Sequence, residues 1–148
     1  MPSKRERDRI VRIIDANANR LREGLRVVEE IARLVLNDAQ LTNRLKVKRH
    51  AVEDLVGQLT LSKETLLSAR ESEDDVGLER VFDRTSRKNC EDILWANIRR
   101  AQESCRVLEE FSKLLDENIP VSLKKIRFSL YTLEKEIHTE LKKWNETR

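Results

Sequence analysis

The chain has few of the residues that interrupt helices, and it has few aromatic residues. Its 148 residues include three glycines and two prolines, and aromatic residues make up 4%. Charged residues reach 39%, and Leu, Glu, Lys and Arg are abundant, which is typical of long helices. No stretch alternates between apolar and polar residues for long enough to indicate a strand. The length fits one domain, residues 1–148, with a real hydrophobic core.

Several signals of location and chemistry are also missing. No apolar run approaches the roughly 18 residues of a membrane-spanning helix. The basic start "MPSKRERDRIV" leads into no signal segment, so we expect a cytoplasmic protein with no membrane partner. The GxxxxGK[ST], GxGxxG, HExxH and paired Glu-x-x-His motifs are absent. Cys90 and Cys105 lack CxxC spacing and are most simply free thiols, with a disulfide or a nucleophilic role as the alternatives.

The charges of the two signs nearly balance. Lys and Arg number 30 and Asp and Glu number 27, which gives a net charge of +3. A surface of mixed sign favours ordinary solvated helix faces. Binding of a nucleic acid needs a one-sided basic patch, which composition cannot show, so a nucleic-acid partner is kept only as a minor alternative.

The sequence contains an internal duplication. The stretch "DANANRLREGLRVVEE", from Asp15 to Glu30, recurs 80 residues later as "WANIRRAQESCRVLEE". A second match aligns "LKVKRHAVEDL", from Leu45, with "LKKIRFSLYTL", from Leu123. The sequence therefore predicts an all-α, antiparallel helical bundle built from two duplicated helical hairpins with pseudo-two-fold symmetry.

Capping residues predict where the helices begin and end. The first repeat covers about 5–60, a polar connecting loop covers about 70–90, and the second repeat covers about 91–145. Asp38 and Ser62 are suited to be N-caps, and Pro120 to be the first residue of the last helix. The predicted helices are 5–36, 40–59, 63–70, 91–115 and 120–144.

Each long helix places an Asn and an Arg within its apolar face. On a projection of about 100° per residue, Asn17 lies at the centre of the apolar arc and Arg20 lies inside it. Asn97 and Arg100 hold the same positions in the second repeat. A buried amide or guanidinium is costly unless it is fully hydrogen-bonded, so two identical placements need a cause.

Two explanations fit this pattern. In the first, each Arg is held by the Glu three residues later and each Asn bonds to the backbone. In the second, which we favour, the side chains line a polar cavity between the helices. Arginine suits phosphate or carboxylate, so the ligand would be an anion. The residues assigned to this cavity are Arg20, Arg100, Glu23 and Glu103 as catalytic groups, and Asn17 and Asn97 as substrate-binding groups.

The partner helices and the connecting loop supply further candidates. Additional substrate-binding cations are Arg49, Arg127, Lys46 and Lys124. The loop sequence "EDDVG" offers Asp74 and Asp75 as metal ligands, although an acidic loop is by default a solvated turn. Arg84 and Arg87, in "RTSRKN", can close over a bound phosphate.

Together, "RIIDANANRLREGLRVVEEIARLVLND", "SAR", "DDVG" and "ANIRRAQESCRVLEE" resemble an all-helical domain of thiamine biosynthesis. That domain is the alternative hydroxymethylpyrimidine-phosphate kinase, often fused ahead of thiamine-phosphate synthase. The likeness covers about Arg12 to Glu136, and it departs from the family pattern at Arg70–Glu71, where the family has Arg-Asp. It includes no part of the synthase barrel, so it implies no synthase activity.

The resemblance implies phosphorylation of 4-amino-5-hydroxymethyl-2-methylpyrimidine phosphate to its diphosphate, with ATP and Mg²⁺. The attacking phosphate oxygen is already ionised, so positioning and cations suffice without a strong base. The asparagines would bind the pyrimidine edge or phosphate, and Glu23 and Glu103 would orient the arginines or hold Mg²⁺. The alternative is a non-catalytic helical module that binds a ligand, thiamine-phosphate synthase or a second copy of itself.

Overall fold

A computed structural model describes residues 1–59, 62–78 and 86–147, and the regular secondary structure in these ranges is helical. The predicted all-α bundle is confirmed. Within these ranges, no helix combines the length and the apolarity needed to cross a membrane. The helices are α1 (Lys4–Glu30), α2 (Ala39–Gln58), α3 (Lys63–Ser68), α4 (Cys90–Ser112) and α5 (Ile119–Glu146).

Local capping chemistry sets the starts of the helices. Asp38 and Ser62 each accept a hydrogen bond from the backbone N–H three residues later, at 2.9 and 3.0 Å, which confirms both predicted N-caps. The last helix begins one residue earlier than predicted, at Ile119, and Pro120 follows in the first turn. A proline is tolerated there because the amides of the first turn have no partner within the helix.

The first helix ends differently from the prediction. Regular α-helical bonding stops at Glu30, and a π-helical turn, Ile31–Val35, continues the chain. Asn37 then takes a φ of 52°, a left-handed conformation that Asn tolerates better than most residues and that commonly ends a helix. The predicted helix over 5–36 is therefore right in extent and wrong in the hydrogen bonding of its last turn.

Contacts between helices define two antiparallel hairpins. Glu29 contacts Arg49, and Arg22 lies 3.9 Å from Glu53, so residue numbers fall along α1 as they rise along α2. The second hairpin, α4 and α5, has contacts in the same order. Glu109 contacts Arg127, and Gln102 contacts Glu134.

The α1–α4 contact joins the two hairpins. A Cβ on Gly24 would lie 2.9 Å from the carbonyl oxygen of Asn97 and 3.4 Å from Ala101 Cβ, so the glycine allows these helices to approach closely. On one side of this pair, α2 contacts α5 through Arg44 and Glu136. The largest fully buried side chains come from α1, α2, α4 and α5, and they are Ile14, Leu21, Leu25, Val28, Leu45, Leu94, Ile98, Leu108, Leu130, Leu133, Ile137 and Leu141.

Candidate functional site

The two repeated asparagines bond to their own helices. Asn17 Nδ2 donates to the carbonyl oxygen of Ile13, and Asn97 Nδ2 donates to that of Ile93, both at 2.9 Å. Asn17 is buried, with 6% of its surface exposed, and Asn97 is partly buried. These bonds to the residue four positions earlier satisfy one amide hydrogen each, which explains how an Asn is accommodated at the α1–α4 contact.

The Arg and Glu residues assigned to the predicted cavity are exposed, and the prediction of an internal polar cavity lined by them is wrong. Arg20, Glu23, Arg100 and Glu103 all lie at the protein surface. The buried arc of α1 is centred on Leu21, roughly 40° from Asn17, so position 20 falls at its edge. A long guanidinium side chain at an edge extends into solvent.

These four side chains have few partners within the chain. Arg20 Nη1 donates to Asn17 Oδ1 at 3.4 Å. Within the described ranges, the side chains of Glu23, Arg100 and Glu103 form no hydrogen bond or ion pair with another residue. The Arg–Glu pairs expected from the internal-network explanation are therefore absent from this part of the chain.

Arg20 and Arg100 nevertheless face the same side of the molecule. Arg20 lies nine residues before Glu29, the residue that contacts α2, and nine residues at about 100° each place it on the opposite side of α1. Arg100 has the same relation to Glu109 and α5. Because α2 and α5 contact each other, they share one side of the α1–α4 pair, and the arginines face the other side. We call this set of Arg20, Glu23, Arg100 and Glu103 the outer face.

The segment after α3 is anchored near one end of the outer face. Arg12 lies within roughly 20° of Glu23 around α1. Its Nη2 donates to the carbonyl oxygen of Glu71 at 3.2 Å, and its Nη1 lies 3.3 Å from Glu71 Oε2. Asp75 Oδ2 lies 3.9 Å from the same guanidinium. The start of the connecting loop is thereby held against the α1 stripe that carries Glu23.

Sequence reasoning missed an ion pair beside this segment. Arg70 donates from Nε and Nη2 to the buried carboxylate of Asp15, each at 2.9 Å. The hydrogen bond to Asp15 and its negative charge raise the pKa of Arg70 above the ordinary value. Asp15 aligns with Trp95 in the second repeat, so comparison of the repeats could not reveal it. The available signal was the acidic residue at the edge of an apolar arc.

A cleft of about 440 Å³ opens next to the Asp15–Arg70 pair, between α1, α2 and α3. We call it the α1–α3 cleft. It combines an apolar floor with charged side chains, which is the usual composition of a small-molecule site. Its lining residues are Asp15, Ala18, Arg22, Glu53, Val56, Gly57, Lys63, Leu66, Leu67 and Arg70.

The cations predicted on the partner helices do not join the outer face. Arg49 and Arg127 bind the buried carboxylates of Glu29 and Glu109, on the side of the α1–α4 pair that faces α2 and α5. Hydrogen bonds to Glu109 and then to Tyr131 raise the pKa of Arg127 above the ordinary value. Lys46 and Lys124 are exposed on α2 and α5, and Lys124 lies 5.9 Å from the Phe128 ring centroid. These four cations therefore do not lie together with Arg20 and Arg100.

The structure does not support a preformed metal site at the predicted aspartates. Asp75 Oδ1 accepts a hydrogen bond from the Gly77 amide at 2.7 Å, and Asp74 is exposed. Across residues 1–59, 62–78 and 86–147, no three His, Cys, Asp or Glu side chains are grouped to hold a metal ion. Arg87 Nη1 bonds to the Ser86 carbonyl oxygen, and Arg84 lies outside the described residues.

Fold and site together define an all-helical protein that presents Arg and Glu side chains on one face and lacks the standard nucleotide-binding motifs. The chain belongs to the ThiD2 family, which matches residues 12–136.

The chain is also similar to curated proteins named thiamine-phosphate synthase. It is 35% identical over 133 residues to that of Rhodopirellula baltica and 40% identical over 126 residues to that of Nostoc punctiforme. These matches cover 89% and 84% of this chain but 35% and 34% of the relatives. The chain thus spans about a third of the length of the curated relatives it matches. No solved structure matches the chain.

Proposed function

We propose that the chain acts in thiamine biosynthesis as a small-molecule kinase. It transfers a phosphoryl group from ATP to 4-amino-5-hydroxymethyl-2-methylpyrimidine phosphate, and it binds the anionic substrate at the outer face. Membership of the ThiD2 family supports the pathway. The relatives' synthase name can belong to the two thirds of their length that this chain does not match.

The observation that carries the proposal is that contacts within the fold explain some of the repeated polar residues but not others. Contacts within the fold account for four of the six polar positions that are identical in α1 and α4: Asn17 and Asn97, Arg26 and Arg106, Glu29 and Glu109, and Glu30 and Glu110. The Arg20/Arg100 and Glu23/Glu103 positions are exposed and, among the described residues, lack such contacts apart from the Arg20–Asn17 bond. Residues retained in both copies without a role in packing are best explained by a ligand outside the chain.

The chemistry of these side chains fits phosphoryl transfer. An oxygen of the pyrimidine phosphate bonds to the γ-phosphorus of ATP as the bond from that phosphorus to the β–γ bridging oxygen breaks, which leaves ADP. The acceptor oxygen is already ionised, so the protein needs to position the phosphates and neutralise their charge. Arg20 and Arg100 supply two guanidinium groups that are free to form bidentate contacts with phosphate oxygens.

The same face can accommodate Mg²⁺ without a dedicated protein cage. Mg²⁺ usually keeps several waters and is bound through one or two carboxylates together with substrate phosphates. Glu23 and Glu103 are exposed carboxylates suited to that role. Bound Mg²⁺ would offset the negative charge of the phosphates.

The direct test measures ADP release with the pyrimidine phosphate, ATP and MgCl₂. We expect release that depends on the pyrimidine phosphate, with the diphosphate found by mass spectrometry. A reaction lacking the pyrimidine measures background ATP hydrolysis. Stabilisation by the pyrimidine phosphate in a thermal-shift experiment, without any diphosphate, would instead favour the non-catalytic module and overturn the kinase.

A further inference from the structure

Gly57 is a glycine that the fold does not require. It lies in α2, it does not have a positive φ, and a Cβ built on it would meet no atom of a described residue within 4 Å. Glycine destabilises a helix relative to alanine, so a helical glycine calls for a reason. Gly24 has one, because the carbonyl oxygen of Asn97 lies 2.9 Å from its Cβ position. The space above Gly57 is open.

That open space is the α1–α3 cleft, which Gly57 helps to line. Val56 and Ala18 are buried in its floor, and Leu66 is half-buried on the α3 side. A missing side chain at Gly57 lets a flat group lie against the backbone of α2, between these apolar residues. Close approach of a ligand to the backbone is a common reason for glycine at such a position.

Three of the charged side chains that line the cleft are cations: Arg22, Lys63 and Arg70. Lys63 is exposed and has no ion pair with another described residue. Arg22 lies 3.9 Å from Glu53, an exposed pair that water weakens, and Arg70 is held by Asp15. An anion entering the cleft thus meets one unpaired ammonium group and two guanidinium groups with spare donors.

Arg70 also connects the cleft with the outer face. Its partner Asp15 lines the cleft, and the negative charge of Glu23, on the outer face, acts on the same guanidinium. The next residue, Glu71, binds Arg12 on the α1 stripe shared with Glu23. A chain of phosphates that runs past Arg70 therefore leads from the cleft toward the outer face, where the pyrimidine phosphate is proposed to bind.

We propose that the α1–α3 cleft binds the nucleoside triphosphate, with its flat base against Gly57 and its phosphates directed toward Lys63, Arg22 and Arg70. This inference rests on the proposed function, because it assigns the donor to the cleft and the acceptor to the outer face. The apolar floor fits a purine base, and the three cations fit a group of several negative charges better than a single phosphate.

The test fills the cleft from its open side. Titration calorimetry with the non-hydrolysable analogue AMP-PNP and MgCl₂ compares the wild type with Gly57→Leu, and with Gln58→Leu as the matched control. Gln58 is exposed, neighbours Gly57 and is not part of the cleft lining.

We expect Gly57→Leu to weaken AMP-PNP binding by at least about tenfold and Gln58→Leu to leave it unchanged. Lys63→Ala, a change at an exposed side chain, should weaken binding without altering the melting temperature.

The outcomes separate this inference from the proposed function because binding is measured without turnover. Equal AMP-PNP affinity in the wild type, Gly57→Leu and Lys63→Ala overturns the cleft assignment even if the kinase reaction is observed. Weaker binding of the pyrimidine phosphate, with unchanged AMP-PNP binding, overturns it as well. Cleft-dependent AMP-PNP binding with no formation of the diphosphate supports the nucleotide site and removes the proposed function instead.

Discussion

Arg49 forms a two-point ion pair with Glu29. Its Nε and Nη2 donate to the two carboxylate oxygens at 2.9 and 3.5 Å, and the Glu29 side chain is only 5% exposed. Arg127 binds Glu109 in the same way, and the Glu109 side chain is 4% exposed. One contact thus recurs at equivalent positions of both hairpins, as a duplication predicts. A pseudo-two-fold relation of the complete hairpins stays a prediction.

Removal of one partner of this ion pair should destabilise the fold. Arg49→Met leaves the Glu29 carboxylate buried without its main partner, so we expect a loss of about 2 kcal/mol in the free energy of unfolding. Urea denaturation followed by circular dichroism measures it. Arg33→Ala is the control, since Arg33 is exposed and forms no ion pair with a described residue.

The double variant Glu29→Leu/Arg49→Met tests the explanation. It should lose less stability than Arg49→Met alone, because no buried charge is left uncompensated. A double variant that is less stable than Arg49→Met would show that the pair itself, rather than the orphaned carboxylate, supplies the free energy.

The two helical glycines should respond to alanine in opposite directions. Gly24→Ala puts a methyl group 2.9 Å from a backbone oxygen, so α1 and α4 must separate, at a loss of about 1–3 kcal/mol. Gly57→Ala adds a methyl group in open space and should stabilise the chain by about 0.4–1 kcal/mol. Thermal unfolding of both variants checks the signs. An unchanged melting temperature in Gly24→Ala would mean that α1 and α4 do not approach each other this closely.

Loss of an outer-face arginine should affect catalysis without affecting stability. We expect Arg100→Ala to lower kcat/KM for the pyrimidine phosphate at least about 100-fold, because a cation on the reacting phosphates is lost. The side chain is exposed, so the melting temperature should hardly change. Arg33→Ala provides the matched control in the same ADP-release assay. An Arg100→Ala enzyme with full activity would remove Arg100 from the site.

The two cysteines should differ in reactivity toward a thiol reagent. Burial is the main cause that raises the pKa of Cys105 from 9.0 to about 12, and the negative charge of Glu109 contributes to the same shift. Its Sγ also donates to the Leu123 carbonyl oxygen at 3.2 Å. Since the thiolate is the reactive form, native Cys105 should not react with Ellman's reagent at pH 8, whereas partly exposed Cys90 should. Cys90→Ala should therefore leave no rapidly reacting thiol.

The same pKa shift predicts a loss of stability at high pH. The pKa of Cys105 is raised in the folded state, so its contribution to stability is complete below pH 9 and is lost as the pH rises toward about 12. Unfolding midpoints of the wild type and Cys105→Ala, compared between pH 8 and 10.5, measure this term. The two proteins should show the same pH dependence up to about pH 9, and the wild type should lose more stability above it. Parallel curves throughout would argue against a buried thiol.

Local chemistry made the helices predictable from sequence. Asp38 and Ser62 cap helices because a side-chain oxygen satisfies an amide three residues later, whatever the rest of the fold does. The π-helical turn at Ile31–Val35 was not predictable in this way. Its apolar residues continue the helical period, and period alone does not distinguish one pattern of backbone hydrogen bonding from another.

The repeated residues of the proposed site could be identified from the sequence, but their location in the fold could not. Repetition singled out Arg20 and Arg100, yet a projection centred on Asn17 placed them inside the bundle. The structure places them on the surface, because the buried arc of α1 is centred nearer Leu21 and a guanidinium at its edge reaches water. The role of Arg49 in holding Glu29 depends on how α1 meets α2, which no single helix encodes.

The sequence by itself determined the helices, their caps and the duplication, because these follow from side-chain period, local hydrogen bonding and direct comparison of residues. The tertiary structure decided which repeated residues are consumed by packing and which face solvent. It also brought Asp15 to Arg70 and opened a cleft over Gly57. The Asp15–Arg70 contact joins residues 55 apart in the chain. Such features arise only when helices with separate patterns pack together.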